Sequence, residues 1–246
     1  MHSLYNVIKK NFKKAIHYLG WEIIRYNVDN SEEVLLQTIL EYFNIRTTID
    51  VGANEGQYAL GILQQGYKHK IYSFEPIREV YEKLKANSVG YKQWKTFNLG
   101  MGGKPGELTM NISENFVSSS ILKVEDIALK AQPQTRIVKQ QVVKLIIIDD
   151  FFLAEEHDFE GEILLKLDVQ GYELEALQGA IKSLPRIRLI QAELSFVPVY
   201  KGSPLFKDVV SFLEENNFEI YTIIPGFRDA KTGRMLQADG IFVRKN

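Results

Sequence analysis

The sequence contains no cysteine, and this absence excludes several kinds of chemistry at once. Without thiols the chain has no disulfides, no thiolate nucleophile and no cysteine ligand for a metal. Its histidines are only His2, His17, His69 and His157, and none of them has the close spacing of a zinc site. We therefore expect no metal centre, and the lack of cysteine suits a reducing compartment such as the cytoplasm.

Long apolar runs and an excess of either charge are also missing. No segment approaches the roughly 20 consecutive apolar residues of a membrane-spanning helix. Residues 1–20 do not fit a secretory signal, because lysines interrupt the region that should be apolar. With 30 basic and 31 acidic residues the net charge is −1, so we expect no nucleic-acid partner. The composition predicts a cytoplasmic globular protein.

The periodicity of apolar residues predicts an N-terminal helical extension, residues 1–45, before an α/β domain, residues 46–246. The extension contains a basic amphipathic helix over 4–19 and a second helix from its N-cap, Ser31, to residue 44. In the domain, strands that alternate with helices indicate βαβ units and a parallel sheet. Strands are predicted at 47–51, 70–74, 94–99, 162–168 and 188–193, and helices at 58–65, 77–87, 172–183 and 206–216.

The middle and the end of the domain depart from this alternation. Short strands predicted at 107–112, 119–122 and 141–148 indicate an insertion that lies over one end of the sheet. The last two strands, 219–224 and 240–244, have no helix between them, which predicts an antiparallel pair. We expect the insertion and the terminal loop, residues 225–239, to shape a substrate pocket.

Residues at two strand ends predict a site for an adenosine-containing cofactor. Asp50 ends the first strand, Gly52 and Gly56 bracket the turn that follows, and Glu75 ends the second strand. Ligands of open parallel sheets bind at this edge, where glycines admit the ligand and an acid accepts hydrogen bonds from ribose hydroxyls. A structural alternative stays open, in which the glycines only permit a tight turn.

Residues inside the turn distinguish among adenosine cofactors. Asn54 stands where the second glycine of a dinucleotide G-x-G-x-x-G motif would be, and Glu55 places an anion where a phosphate would bind. No P-loop motif occurs in the sequence. S-adenosylmethionine (SAM) has no phosphate, and its sulfonium cation suits Asp50 and Glu55. The turn therefore favours SAM, with an NAD-type oxidoreductase as the alternative.

A second set of polar residues follows the strand predicted at 162–168. Asp168 at its carboxyl end can orient or deprotonate a hydroxyl group, and Lys166 can stabilise a developing alkoxide. The alternative is structural: Asp168 caps the next helix and Lys166 pairs with it. Glu193, at the end of the following strand, has the same two interpretations. Residues 149–150 indicate the start of a helix.

At these residues the sequence resembles the FkbM family of SAM-dependent methyltransferases. Three stretches carry the resemblance: IDVGAN at 49–54 with Gly56 and Tyr58, SFEP at 73–76, and KLDVQG at 166–171 with Glu173 and residues 177–180. Residues 98–100, 118–120 and 149–150 agree with weaker family features. The resemblance covers about residues 45–245 and leaves the N-terminal extension outside it.

The resemblance implies a Rossmann-like class I methyltransferase fold, with a mostly parallel seven-stranded sheet, an antiparallel last strand and helices on both faces. It also implies a cofactor site, in which Asn98 lies near the adenine and Asp168 near the methyl group. Gln170 stands where many members have glutamate, which argues against an obligatory acid at this position. The implied cofactor-binding residues are Asp50, Gly52, Ala53, Asn54, Gly56, Tyr58, Glu75, Pro76, Asn98 and Asp168.

From the resemblance we expect O-methylation of a hydroxyl group on a sugar, a glycolipid or a natural-product-type molecule. Asp168 is the first candidate base, with Glu193 or His157 second and Lys166 in support. A magnesium-type ion between Asp168 and Glu193 is not expected. A non-catalytic SAM-fold binding protein is the further alternative. Candidate acceptor contacts are Ser118, Ser119, Gln170, Tyr200 and Arg228.

The basic helix predicted at 4–19 has two interpretations. Its lysines on one face and apolar residues on the other suit peripheral contact with a membrane, for instance to reach a lipid-linked sugar. Alternatively its apolar face packs on the sheet domain or on a second subunit, and this packing is the expectation that we favour.

Overall fold

The computed structural model describes residues 2–245, and the side chains of residues 10–245. Its strands form one large sheet of seven and one small sheet of three. The strands are β1 (Ile45–Val51), β2 (Lys70–Phe74), β3 (Trp94–Phe97), β4 (Gly100–Met101), β5 (Gly106–Ser113), β6 (Ile137–Ile146), β7 (Glu162–Leu167), β8 (Ile187–Ser195), β9 (Phe218–Pro225) and β10 (Gln237–Arg244).

Helices connect most of these strands. The helices are α1 (His2–Tyr18), α2 (Glu32–Tyr42), α3 (Gln57–Gln64), α4 (Arg78–Ser88), α5 (Asp126–Ala131), α6 (Ile148–Glu155), α7 (Glu173–Gln178) and α8 (Phe206–Glu215), with single 3-10 turns at Pro133–Thr135, Glu156–Asp158 and Leu184–Arg186. Helix α2 begins as predicted, because the Ser31 hydroxyl accepts a hydrogen bond from the Val34 N–H at 3.3 Å. No helix in the described part of the chain combines the length and the apolar character needed to cross a bilayer.

The large sheet has the order β3-β2-β1-β7-β8-β10-β9. Strands β1, β2, β3, β7 and β8 are parallel, and β10 is antiparallel to both of its neighbours. The Rossmann-like α/β fold with an antiparallel last strand is therefore confirmed. Strand order reverses between β1 and β7, which is where open sheets of this kind bind ligands.

Two apolar layers sandwich the sheet. One contains Ile49, Leu165 and Phe74 with residues of α6, α7 and α8. The other contains Leu164 and Ile62 with residues of α2. Because helices cover both faces, the central strands are apolar on both sides, as in other parallel sheets.

The predicted insertion forms the small sheet, in the order β4-β6-β5. Its third strand is β4, whereas the strand predicted at 119–122 is wrong: only Ser120 forms an isolated bridge, with Asn111. Side-chain hydrogen bonds replace the ladder there, because the Ser120 hydroxyl donates to the Gln170 carbonyl at 2.6 Å. The helix predicted at 172–183 is also shorter, since Gly179 lies against the backbone of Gly102.

The expected packing of the N-terminal helix on the domain is wrong for the side chains that the structure describes. Phe12 is 57% exposed and Leu19 is 71% exposed. Of the predicted apolar face, only Ile16 is half-buried, while Leu4 and Ile8 lie outside the described side chains. Most of the apolar side chains described at this end of the chain are thus exposed.

Candidate active site

The glycine turn after β1 packs directly on the loop after β7. Gly52 has φ +76°, and a Cβ atom there would lie 1.8 Å from the backbone oxygen of Asp168. The N–H groups of Gly52 and Ala53 both donate to the Phe74 carbonyl, at 3.0 and 2.9 Å. Only glycine permits this conformation at such a close approach, so the turn brings the ends of β1, β2 and β7 together.

Glu75 is the acid at the end of β2, and it is 4% exposed. Its two carboxylate oxygens accept hydrogen bonds from the N–H groups of Asn54 at 3.0 Å and Ile77 at 2.8 Å. Burial raises the pKa of Glu75 to about 7. Since each oxygen keeps a free lone pair, the carboxylate can accept further hydrogen bonds from a ribose diol.

Asn98 secures the same loop from behind. Its side-chain amide donates to the carbonyl groups of Glu75 at 2.9 Å and Pro76 at 3.1 Å. Asn98 does not line the cleft beside Glu75. The contact between Asn98 and the adenine therefore stays a prediction. The hydrogen bonds that Asn98 forms instead hold the backbone at Glu75 in place.

A cleft of about 640 Å³, including its open mouth, lies between the carboxyl edge of the large sheet and the small sheet. One wall is polar and the opposite wall is apolar, an arrangement that suits a nucleoside with a polar ribose and a flat purine. The polar wall includes Gly52, Asn54, Glu75, Asp168 and Gln170. The apolar wall includes Ile77, Met101, Met110, Phe116, Val143 and Leu145.

Asp50 and Lys166 form an ion pair beneath the cleft. The Lys166 ammonium lies 3.1 Å from the Asp50 carboxylate and 3.5 Å from that of Asp168. Burial opposes the positive charge, but Asp50 and Asp168 outweigh it and raise the pKa of Lys166. Asp50 is fully buried, accepts a hydrogen bond from Ser73 and does not line the cleft. Its direct contact with the cofactor stays a prediction.

The turn disfavours a phosphate for a different reason from the one that the sequence suggests. Glu55 forms an ion pair with Lys83 at 2.7 Å, so its negative charge is balanced. The side-chain oxygen of Asn54 instead accepts a hydrogen bond from the Glu55 N–H at 2.7 Å. That N–H lies just before α3, where a phosphate would otherwise bind. The Asn54 side chain thus occupies the Glu55 N–H group, which the phosphates of a dinucleotide would otherwise use.

The loop after β7 presents Asp168 to the cleft through Gln170. The Gln170 amide nitrogen donates to Asp168 at 2.5 Å, and the Gln170 amide oxygen accepts from the Tyr200 hydroxyl at 2.6 Å. Asp168 keeps 37% of its side chain exposed. The tethered carboxylate is therefore held in place and remains accessible.

Asp168 does not cap α7, so this part of the structural alternative is wrong. Helix α7 begins after Tyr172 without a side-chain cap. The carboxylate of Glu173 accepts hydrogen bonds from the N–H groups of Val169 at 3.1 Å and Gly171 at 3.2 Å. Burial raises the pKa of Glu173 to about 7. Glu173 therefore shapes the loop, while the Asp168 carboxylate contacts Lys166 and Gln170.

Glu193 lies behind Asp168 in a cluster of carboxyl and amide groups that no local sequence pattern predicts. It accepts hydrogen bonds from Gln237 at 2.6 Å and Gln170 at 3.3 Å, and burial raises its pKa well above the usual value. Asp239 pairs in register with Glu193, and burial raises the pKa of Asp239 to about 7. Gln237 and Asp239 were missed because the last strand begins at Gln237, whereas the sequence predicts a loop up to residue 239 and a strand from residue 240.

The other predicted turn residues support the site from within. Gly56 has φ +92°, and a Cβ atom there would meet the Trp94 ring at 2.6 Å. The Tyr58 hydroxyl donates to Gln191 at 3.2 Å, and the Lys166 ammonium lies 5.4 Å from the Tyr58 ring centre. Gly56 and Tyr58 do not line the cleft, whereas Pro76 does.

Some of the residues predicted to contact the acceptor line the cleft, and others do not. Ser119 lines the cleft, but its hydroxyl already accepts a hydrogen bond from the Ser113 N–H at 3.0 Å. Ser118 and Tyr200 do not line it, although the Tyr200 hydroxyl lies 3.2 Å from the Ser118 carbonyl oxygen. Arg228 is exposed in the terminal loop. Tyr200 therefore contributes to the site by holding Gln170.

His157 is wrong as a second candidate base. It is exposed and precedes β7, at the opposite edge of the sheet from Asp168. A strand of six residues spans about 20 Å, which separates the two side chains too far for a shared proton.

Two further sequence predictions concern residues 149–150 and metals. Asp149 lies in the first turn of α6 and accepts hydrogen bonds from the Ser183 N–H and hydroxyl, so its role is structural, as predicted. In the part of the chain that the structure describes, no group of three or more acids or histidines is arranged to hold a metal ion.

Comparison with known proteins gives a family and distant relatives. The family model described as methyltransferase FkbM domain matches residues 50–220. The 2-O-methyltransferase NoeI of Sinorhizobium fredii (strain NBRC 101917 / NGR234) is 23% identical over 186 residues, which cover 72% of this chain and 74% of that protein.

Among solved structures, Aeropyrum pernix fibrillarin in complex with natively bound S-adenosyl-L-methionine is similar, with a TM-score of 0.46 and 13% identity over 86% of this chain and 73% of that chain. An rRNA methylase from Streptococcus thermophilus is similar with a TM-score of 0.44 and 10% identity, over 91% of this chain and 99% of that chain.

Proposed function

Because this chain belongs to the FkbM family of methyltransferases, we propose that it transfers a methyl group to a hydroxyl oxygen of a small, sugar-type acceptor. The methyl donor is SAM, whose sulfonium supplies an electrophilic methyl group. The observation that carries the proposal is the accessible carboxylate of Asp168, which lies in the cleft wall beside Gly52 and Asn54.

Asp168 is suited to receive the proton of an alcohol acceptor. An alcohol must lose its proton during or soon after methyl transfer, and a positioned carboxylate can accept it. The amide of Gln170 fixes one oxygen of Asp168 at 2.5 Å, and Lys166 lies 3.5 Å from the other. Lys166 can stabilise negative charge that develops on the acceptor oxygen.

Positioning supplies the rest of the rate enhancement. Methyl transfer is an in-line displacement, so the acceptor oxygen must lie opposite the leaving sulfur. Gly52 packs on the Asp168 backbone, and the hydrogen bond from Tyr200 to Gln170 fixes the loop that carries Asp168. The base and the cofactor wall thus belong to one rigid unit.

A hydroxyl-bearing acceptor of the saccharide type, including a glycolipid, is consistent with two observations. The relative NoeI is named a 2-O-methyltransferase, although its identity to this chain is only 23%. Asp168 and Gln170 line the proposed acceptor side of the cleft, and Glu193, Gln237 and Asp239 lie next to them. Such groups accept and donate hydrogen bonds to several hydroxyl groups at once.

The decisive assay is transfer of labelled methyl from SAM to panels of sugars, glycolipids and natural-product alcohols. With an active acceptor, we expect Asp168→Asn to lower kcat by about 100-fold or more while SAM affinity changes within a few-fold. Asp150→Asn, which replaces an exposed acid of α6, is the matched control and should keep full activity.

Each alternative function predicts a different experimental result. Equal loss of SAM affinity and turnover in Asp168→Asn would assign Asp168 to the cofactor site or to the fold. SAM binding without transfer to any acceptor would support a binding protein that does not catalyse. Tighter binding of NADH than of SAM in a fluorescence titration would favour the oxidoreductase alternative.

A further inference from the structure

An apolar surface remains exposed at the N-terminal end of the described chain. We call residues 10–28 the N-terminal surface; it comprises the end of α1 and the segment that leads to α2. Six of its apolar side chains are more than half exposed, with Tyr18 at 92% and Trp21 at 73%. These six are Phe12, Tyr18, Leu19, Trp21, Ile24 and Tyr26. So many exposed apolar side chains within one short segment indicate an interaction surface.

The N-terminal surface is also strongly basic. It carries Lys10, Lys13, Lys14 and Arg25 against the single acid Glu22, a formal charge of +3 in a chain whose total is −1. Within residues 10–245 none of the four cations forms an ion pair. The cations therefore remain available to an external anion.

The arrangement of these residues matches an interfacial helix. On α1 the apolar Phe12 lies on one side and Lys10, Lys13 and Lys14 lie on the other, and the exposed Leu19 directly follows the last residue of the helix. A helix of this kind lies in the plane of a membrane with its apolar face in the acyl boundary and its lysines among the headgroups. Tyr18, Trp21 and Tyr26 have the amphipathic rings that are enriched at this boundary.

Charge decides between a membrane and a second copy of the chain. A symmetric dimer through this surface would place its unpaired cations against the same cations of the partner. An anionic lipid surface would instead attract them, and it would repel the acidic remainder of the molecule, which orients the protein. We propose that the N-terminal surface docks the protein on anionic lipid bilayers. The proposal does not depend on the methyl acceptor.

Co-sedimentation of the full chain with vesicles tests the proposal. We expect binding to vesicles of equal parts phosphatidylcholine and phosphatidylglycerol, and little binding to phosphatidylcholine alone. Trp21 is exposed whereas Trp94 is 5% exposed, so binding should shift the tryptophan emission to the blue. Trp21→Phe should abolish this shift while the protein still sediments with the anionic vesicles.

Matched charge reversals separate this surface from general electrostatics. The triple variant Lys10→Glu, Lys13→Glu, Lys14→Glu should lower the vesicle affinity by about 100-fold or more. The control reverses three exposed lysines elsewhere, Lys92→Glu, Lys182→Glu and Lys207→Glu, and should bind almost as the parent does.

Three results would overturn the proposal. They are absence of binding to anionic vesicles, equal binding to neutral ones, and an equal loss of affinity in the two triple variants. A concentration-dependent dimer that disappears in Leu19→Ser, Trp21→Ser would identify a second copy as the occupant. None of these results bears on methyl transfer, which is measured separately with soluble acceptors.

Discussion

At the scale of single residues, Glu75 joins the fold to the cofactor site. Its carboxylate accepts hydrogen bonds from the N–H groups of Asn54 and Ile77, and these bonds fix the loops after β1 and β2. Glu75 also lines the cleft. Burial opposes ionisation, yet the carboxylate is the better hydrogen-bond acceptor for a ribose diol. Binding and protonation therefore compete at this residue.

Cofactor affinity should fall as the pH is lowered through the pKa of Glu75. Because that pKa is about 7 in the free protein, the carboxyl group is increasingly protonated below it. We expect the Kd of S-adenosylhomocysteine, measured by isothermal titration calorimetry, to rise by up to about tenfold per pH unit below the pKa. Glu75→Gln should bind more weakly at alkaline pH and lose this dependence.

The control is Glu82→Gln, an exposed acid of α4 that should keep both the affinity and its pH dependence. A parent Kd that stays constant between alkaline and mildly acidic pH would contradict the role assigned to Glu75.

At the scale of elements, β6 forms the wall of the cleft opposite Glu75. Its alternation turns Val143 and Leu145 inward, at 2% and 3% exposure, while Val142 is 61% exposed. Leu145 also packs over Gly100, where a Cβ atom would lie 2.5 Å from the leucine side chain. The small sheet is thus a cover with one apolar face.

Shortening Leu145 should weaken both the fold and cofactor binding. Leu145→Ala leaves a cavity in a buried wall and should lower the free energy of unfolding by about 2 to 4 kcal/mol. S-adenosylhomocysteine should also bind more weakly, because the apolar wall loses contact area. Val142→Ala, on the exposed face of the same strand, should change stability by less than about 0.5 kcal/mol. Urea unfolding and calorimetry measure both effects, and equal losses in the two variants would contradict this orientation of β6.

Elements with a clear periodicity could be predicted from the sequence. β2 occupies the predicted residues 70–74, and α8 (Phe206–Glu215) differs from its prediction by one residue. Local patterns could not reveal β4, whose two residues are too few to show an alternation. The strand predicted at 119–122 fails because Ser119 and Ser120 use their hydroxyls to bond the backbone of other segments.

The candidate site, like the fold, could be predicted only where local sequence patterns bring its residues together. Asp168 and Lys166 are neighbours in sequence, so their proximity was readable from the pattern. Gln237 reaches Glu193 only through the antiparallel register of β10 with β8, which no local pattern specifies. The burial of Asp50 beneath the cleft likewise depends on Lys166 and Ser73 from neighbouring strands.

At the scale of the whole molecule, the site contains several buried carboxyl groups, and burial disfavours their charged form. Glu75, Glu173 and Asp239 each have a pKa raised to about 7, first of all by burial. Between the ordinary pKa of a carboxyl group, about 4, and this value, the folded protein binds more protons than the unfolded chain. The free energy of unfolding must therefore fall as the pH rises through this window.

The protein without cofactor should accordingly be more stable at mildly acidic than at alkaline pH. Urea unfolding should show a loss on the order of 2 kcal/mol for each of these carboxyl groups as the pH rises from about 5 to about 8. Glu173→Gln, whose side-chain oxygen can still accept the N–H groups of Val169 and Gly171, should reduce this loss. Glu107→Gln, at an exposed position of β5, should leave it unchanged. A stability that stays constant or increases with pH across this range would contradict these raised pKa values, because a carboxyl group whose pKa is raised by folding can only lower the stability as the pH rises.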